Sequence, residues 1–128
     1  MKELKAGLTA TVSETVLYTN TASALGSGLL DVYATPAMVA LMEKAAVTAI
    51  QPFLAETEGS VGIKINISHD SATLPGKVVS ATAELTAIDG RRLVFNVSAR
   101  DEYGSIGQGV HERFIINNEK FLAKLKSK

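Results

Sequence analysis

The chain has 128 residues, a length that suits one core, and residues 1–128 read as a single domain. Hydrophobic residues make up 46% of it, which excludes a disordered tail, and 13 basic residues balance 13 acidic ones, which leaves no footprint for nucleic acid or an anionic membrane. With no cysteine, disulfides, thiolate nucleophiles and cysteine-based zinc sites are excluded too. The opening MKELKAGLTATV carries charges without an apolar h-region, and no apolar run is long enough to span a bilayer. The expected location is therefore the cytoplasm.

From Lys5 to about Val16 the pattern is weakly strand-like, with Thr9, Thr11, Val12 and Thr15. Tyr18 to Asp31 is rich in Thr, Ser, Asn and Gly and has no clear period, so it reads as a flexible flap. A strong helix follows. Thr35 suits its N-cap and Pro36 its first position, AMVALMEKAAVTAI continues it, and Pro52 ends it. Val39, Ala46 and Ile50 share a face, and Glu43 falls in that apolar stripe.

After Glu58-Gly59 the period changes to two. Val61, Ile63, Ile65, Ile67 and His69 fall on one side of a strand, and Gly62, Lys64, Asn66, Ser68 and Asp70 on the other. Leu74-Pro75-Gly76 marks a turn. Val79, Ala81, Ala83, Leu85 and Ala87 then alternate with polar residues. Asp89-Gly90 predicts a tight hairpin into a strand with Leu93, Phe95, Val97 and Ala99 on its apolar side. A turn at Glu102-Tyr103-Gly104 leads to a last strand, from about Ser105 to Asn117. Gly107 and Gly109 share a side with His111 and Arg113 there, which suggests close approach of another backbone, the helix being the first choice. Asn118 suits the cap of a short final helix, whose polar face takes the lysines from Lys120 to Lys128. One long helix followed by four strands on tight turns predicts an α+β layer design, an antiparallel sheet wrapped around a buried helix.

Two residues interrupt apolar faces. A buried Glu43 needs a partner, because an unpaired carboxylate in a core costs several kcal/mol or a large pKa shift. It is either a general base or nucleophile beside a reacting water, or a stripe-edge glutamate that reaches solvent. His69 ends the strand face that packs on the helix. It is either an acid, base or oxyanion donor, or a satisfied structural histidine. Their shared interface suits a catalytic pair. Thr35 is either spent on the cap or free to hold a water, a thioester oxygen or a carboxylate at the helix N-terminus. In His111-Glu112-Arg113, the arginine either binds substrate or pairs with Glu112 or Glu119. Arg91-Arg92 is either a contact for coenzyme A phosphates or a solvated pair. No metal-ligand spacing, phosphate loop or nucleophile elbow is visible.

The runs YATPAMVALMEKA, GSVGIKINISHDSATLPG, TAIDGRRLVFNVSARD and GQGVHERFIINNEKF resemble the fluoroacetyl-CoA thioesterase family. The resemblance covers nearly everything after about Val32 and keeps the helix-to-histidine spacing without gaps. It implies a hot-dog fold and acyl-CoA hydrolysis. It implies Thr35, Glu43 and His69 as catalytic residues and Gly62 and Arg113 as substrate contacts. It also implies a homodimer, or a dimer of dimers, with sites at the subunit interface. Coenzyme A enters only as part of the substrate, and no metal is expected. The family's fluoroacetate-specific enzyme has phenylalanines in its lid, whereas NTASALGSGLLDVY here places Gly26 and Leu29 near those positions. A different, broader acyl group is therefore expected. Two alternatives stand beside thioester hydrolysis: a hot-dog hydratase or dehydratase, and a non-catalytic acyl-CoA binding module.

Overall fold

The computed structural model describes residues 3–128. Its elements run β1 (Thr9–Thr15), α1 (Ala22–Leu25), α2 (Thr35–Ile50), β2 (Glu58–His69), β3 (Val78–Asp89), β4 (Arg92–Asp101), β5 (Gly104–Asn117) and α3 (Asn118–Lys126). The strands form one antiparallel sheet in the order β1-β3-β4-β5-β2. It curves around α2, as the alternation of apolar and polar residues predicts. Met38, Leu41, Met42, Ala45, Ala46, Ala49 and Ile50 of α2 are buried. They meet Val79, Ala81, Ala83 and Leu85 of β3 and Leu93, Phe95 and Val97 of β4 in one core. Each large apolar side chain buried there contributes about 1.5–3 kcal/mol.

Several local expectations change. Ala34, not Thr35, is the N-cap of α2, so Thr35 takes the first helical position and Pro36 the second. The Thr35 hydroxyl is thereby released from capping. The Tyr18–Asp31 stretch, read from its lack of period as a flap, holds short regular elements. It holds a 3₁₀ turn (Tyr18–Asn20) and α1, whose cap Thr21 donates to the Tyr18 carbonyl at 2.7 Å, and Ala22 N donates to Val32 O at 2.8 Å. Asn117 rather than Asn118 caps α3, its side chain accepting from Lys120 N at 3.0 Å. The tight β3–β4 turn falls on Gly90-Arg91, with Gly90 at φ +62°.

The change that matters most for function is in β2. Gly62 pairs with Arg113 and Lys64 with Glu112, which leaves Ile63 as the extra residue of a β-bulge. The bulge reverses the alternation. Beyond it Ile65, Ile67 and His69 face α2, as expected, but before it Ser60 and Gly62 face inward and Ile63 is half exposed. Gly62 and His69 thus lie on the same face, not on opposite ones. A second bulge between Leu85 and Ala87 likewise turns Ala87 out of the core.

Gly107 and Gly109 do mark a close approach, chiefly to the neighbouring strand. A Cβ on Gly107 would stand 2.5 Å from Ser68 O and 2.8 Å from Met38 Cε, and one on Gly109 would strike the backbone of Asn66 and Ile67. At the far end of the sheet, buried Thr73 donates to the buried Asp101 carboxylate at 2.7 Å, and Tyr103 N donates to its other oxygen at 2.8 Å. Thr73→Val removes one of these donors. It is expected to lower unfolding stability by about 2 kcal/mol, read as a lower urea midpoint at unchanged slope. An unshifted midpoint would show that the bond contributes nothing.

Candidate active site

The first group of site residues sits at the start of α2. With Ala34 as cap, Thr35 Oγ1 reaches across to β2 and lies 2.7 Å from His69 Nδ1. The other ring nitrogen, Nε2, is buried and has no hydrogen-bond partner, the one such side-chain atom among the described residues. A buried polar atom without a partner is costly in a purely structural role. Thr35 and His69 also line a cavity of about 220 Å³, together with Asp70, Tyr33, Ala22 and Ser27 among others. Two residues of the flap segment, Ala22 and Ser27, thus form part of its wall.

The second group surrounds Glu43, two turns further along α2. Its side chain is 39% exposed, at the border between core and solvent. Arg113 Nη1 stands 3.5 Å from Glu43 Oε2, and His111 Nε2 4.0 Å from it. Arg113 is 8% exposed and held on three further sides. Its Nε donates to Ser60 Oγ at 2.8 Å, Nη2 to Ser60 O at 2.9 Å, and Nη1 lies 3.2 Å from His111 Nε2. Burial lowers the Arg113 pKa, with Glu43 opposing the shift, and burial lowers that of His111 below its ordinary value. Gly62 fits this group for a steric reason. A Cβ there would stand 2.6 Å from Glu43 Oε2 and 3.3 Å from Arg113 Nη1. The bare backbone makes room for the carboxylate.

The structure therefore brings the five expected residues together in two sets, Thr35 with His69 and Glu43 with Gly62 and Arg113. No hydrogen bond or ion pair joins the sets within one chain among the described residues. Glu43 lies eight positions after Thr35 on the helix, about 12 Å along the axis. Arg113 pairs with neither Glu112 nor Glu119. Glu112 instead binds Arg92 at 2.8 Å, while Arg91 meets Glu58 at 3.5 Å, so both hairpin arginines have carboxylate partners. Ser60 and His111 are the residues of this cluster that the site assignment omits. Ser60 lies two residues before Gly62, a spacing that signals a shared strand face. Among the described residues no three His, Cys, Asp or Glu side chains converge as metal ligands. No helix among them is long and apolar enough to cross a membrane. A larger concavity, about 700 Å³, lies on the outer face of the sheet near Ser68, Thr82, Asn96 and Gln108, away from both sets.

Solved structures share this architecture. The chain is 41% identical to the fluoroacetyl-CoA thioesterase FlK, with a TM-score of 0.93 over 99% of this chain and 98% of that one. It is 32% identical to a Thermus thermophilus member of the thioesterase superfamily, with a TM-score of 0.89 over 99% and 94% of the two chains. With this fold and these relatives the chain is a thioesterase of the hot-dog class, a thioester hydrolase. The fluoroacetyl-CoA thioesterase of Streptantibioticus cattleyicolor is 50% identical over 98 residues, which cover 77% of this chain and 70% of that protein. The sequence model of the fluoroacetyl-CoA-specific thioesterase family matches residues 16–119, and the chain belongs to that family.

Proposed function

We propose that the chain hydrolyses small or medium acyl-CoA thioesters to the free acid and coenzyme A. The observation that carries this reading is the Thr35–His69 pair in the wall of a cavity, with the second ring nitrogen of His69 buried and without a partner. Thr35 donates its hydroxyl hydrogen to Nδ1. This leaves an N–H on Nε2, aimed where a thioester oxygen or a departing thiolate would sit. Glu43, steadied by Arg113, removes a proton from the attacking water or attacks the carbonyl itself. The Gly62 amide serves as a further oxyanion donor. The name of the Streptantibioticus relative supports the acyl-CoA class.

The site is completed by a second copy of the chain. β2 is an edge strand of 12 residues with one unpaired side, and edges of that length invite pairing. An antiparallel β2–β2 pairing centred near Ile65 would lay Gly62, and the Glu43 carboxylate against it, beside His69 of the partner subunit. Homodimerisation thus unites the two sets that one chain holds apart.

The lid supports a broad acyl range. Leu29 is 95% exposed, the neighbouring Gly26 and Gly28 have no side chains, and the segment's contribution to the cavity wall comes from Ala22 and Ser27. Hydrolysis of acetyl-, fluoroacetyl- and longer acyl-CoAs, read as free thiol, is expected to give comparable kcat/KM for the short esters. Selectivity of orders of magnitude for fluoroacetyl-CoA would overturn this reading of the lid and the broad acyl range drawn from it. An enoyl absorbance change without thiol release would identify a hydratase, and tight binding without turnover a binding module.

A further inference from the structure

His111 has no role so far, yet it sits under the Glu43 group. It is 1% exposed, on the inner face of β5. Four neighbours define its surroundings. Nδ1 lies 2.8 Å from the Lys64 carbonyl of β2, just past the bulge. Nε2 lies 3.2 Å from Arg113 Nη1 on its own strand and 4.0 Å from Glu43 Oε2 on α2. Phe95 of β4 stacks on the ring at 6.0 Å between centroids. Glu112, next along β5, is the weakest of the charged influences on the ring.

These contacts fix the protonation state. A carbonyl only accepts, so Nδ1 carries the hydrogen and donates it to Lys64 O. A guanidinium only donates, so Nε2 is the bare nitrogen and accepts from Arg113. A second proton would have to sit on Nε2, where it would face the guanidinium. Burial, the largest effect, and the Arg113 charge oppose it; the Lys64 carbonyl, Glu43 and, least, Glu112 favour it, and the balance holds the imidazole below its ordinary value.

We infer that His111 is a positioning residue: as a neutral acceptor it fixes the Arg113 fork, which in turn aims the Glu43 carboxylate over Gly62. Ser60 holds Nε and Nη2 of that fork and His111 holds one hydrogen of Nη1, so the other is directed at Glu43. Without the imidazole acceptor, Nη1 loses the contact that sets its direction. The inference rests on the proposed role of Glu43, but its first test does not.

The chain has only two histidines, so its imidazole nitrogens can be read one by one. In ¹⁵N-histidine-labelled protein at neutral pH, His111 is expected as the neutral Nδ1–H form and His69 as the opposite Nε2–H form, assigned with His69→Gln. An Nε2–H or doubly protonated His111 overturns the inference, whatever the activity. The second test is kinetic. His111→Gln places an amide oxygen where Nε2 accepts, while His111→Leu removes the acceptor. The leucine variant is expected to lose about ten- to a hundred-fold in kcat, as a misaimed group does, and the glutamine variant to stay within several-fold of wild type. Equal rates for the two variants, fast or slow, overturn the inference. Full activity of Glu43→Gln would instead defeat the catalytic reading and leave the tautomer result standing.

Discussion

Glu43→Gln is expected to lower kcat for acyl-CoA hydrolysis by about a thousand-fold, the middle of the range for losing a general base. The substitution keeps shape and volume. Arg113 can still donate to the amide oxygen, and Gly62 still leaves room beside it. Arg113 also retains Ser60 and His111, so the folded state keeps its hydrogen bonds. A loss of rate with unchanged circular dichroism and an unchanged melting temperature would place the effect in the chemistry. Free-thiol release in single-turnover mode is the right measurement, because it separates chemistry from product release. A Gln variant as fast as wild type would remove Glu43 from the mechanism, whichever of its two roles were assumed.

The sequence reveals Glu43 and His69 through one device, a polar residue on an apolar face. That device depends on period, so it works where the period is unbroken. The four strands after α2 and the helix itself are legible for this reason, since burying one face forces the alternation. The β2 bulge is not legible. Val61, Ile63, Ile65 and Ile67 alternate without a break, and nothing in that string says that Ile63 drops out of the ladder. The reversal follows from pairing with β5 and from the glutamate that occupies the space over Gly62. Thr35 shows a second limit. Capping rules are local, and locally Thr before Pro is a good cap. The competing partner, His69, is 34 residues away. The Arg113–Glu43 pair spans 70 residues, beyond any local rule that would link Arg113 to its neighbour Glu112. What the sequence alone cannot supply in each case is a long-range partner, and the family resemblance names the residues without saying which pair with which.

Mixing two inactive variants is expected to restore activity, and this tests how the two sets are united. His69→Gln removes the Nε2 donor aimed at the thioester and should cost about a hundred-fold or more. Glu43→Gln removes the other half. If each site takes Glu43 from one chain and His69 from the other, a heterodimer of the variants has one site with both lesions and one with neither. Random reassortment makes half of the dimers mixed, so the mixture should recover about a quarter of wild-type activity, and a purified heterodimer about half. If both residues act within one chain, every site keeps one lesion and the mixture stays as inactive as its parents. The geometry within a chain favours recovery. Glu43 is engaged by Arg113 beneath Gly62, while Thr35 and His69 converge two helical turns away. Side-chain rotation alone does not close a gap of about 12 Å along a helix whose neighbouring residues are packed into the core. A second β2 edge, bringing its own Gly62 with the Glu43 of its α2 against it, would close that gap without moving either set.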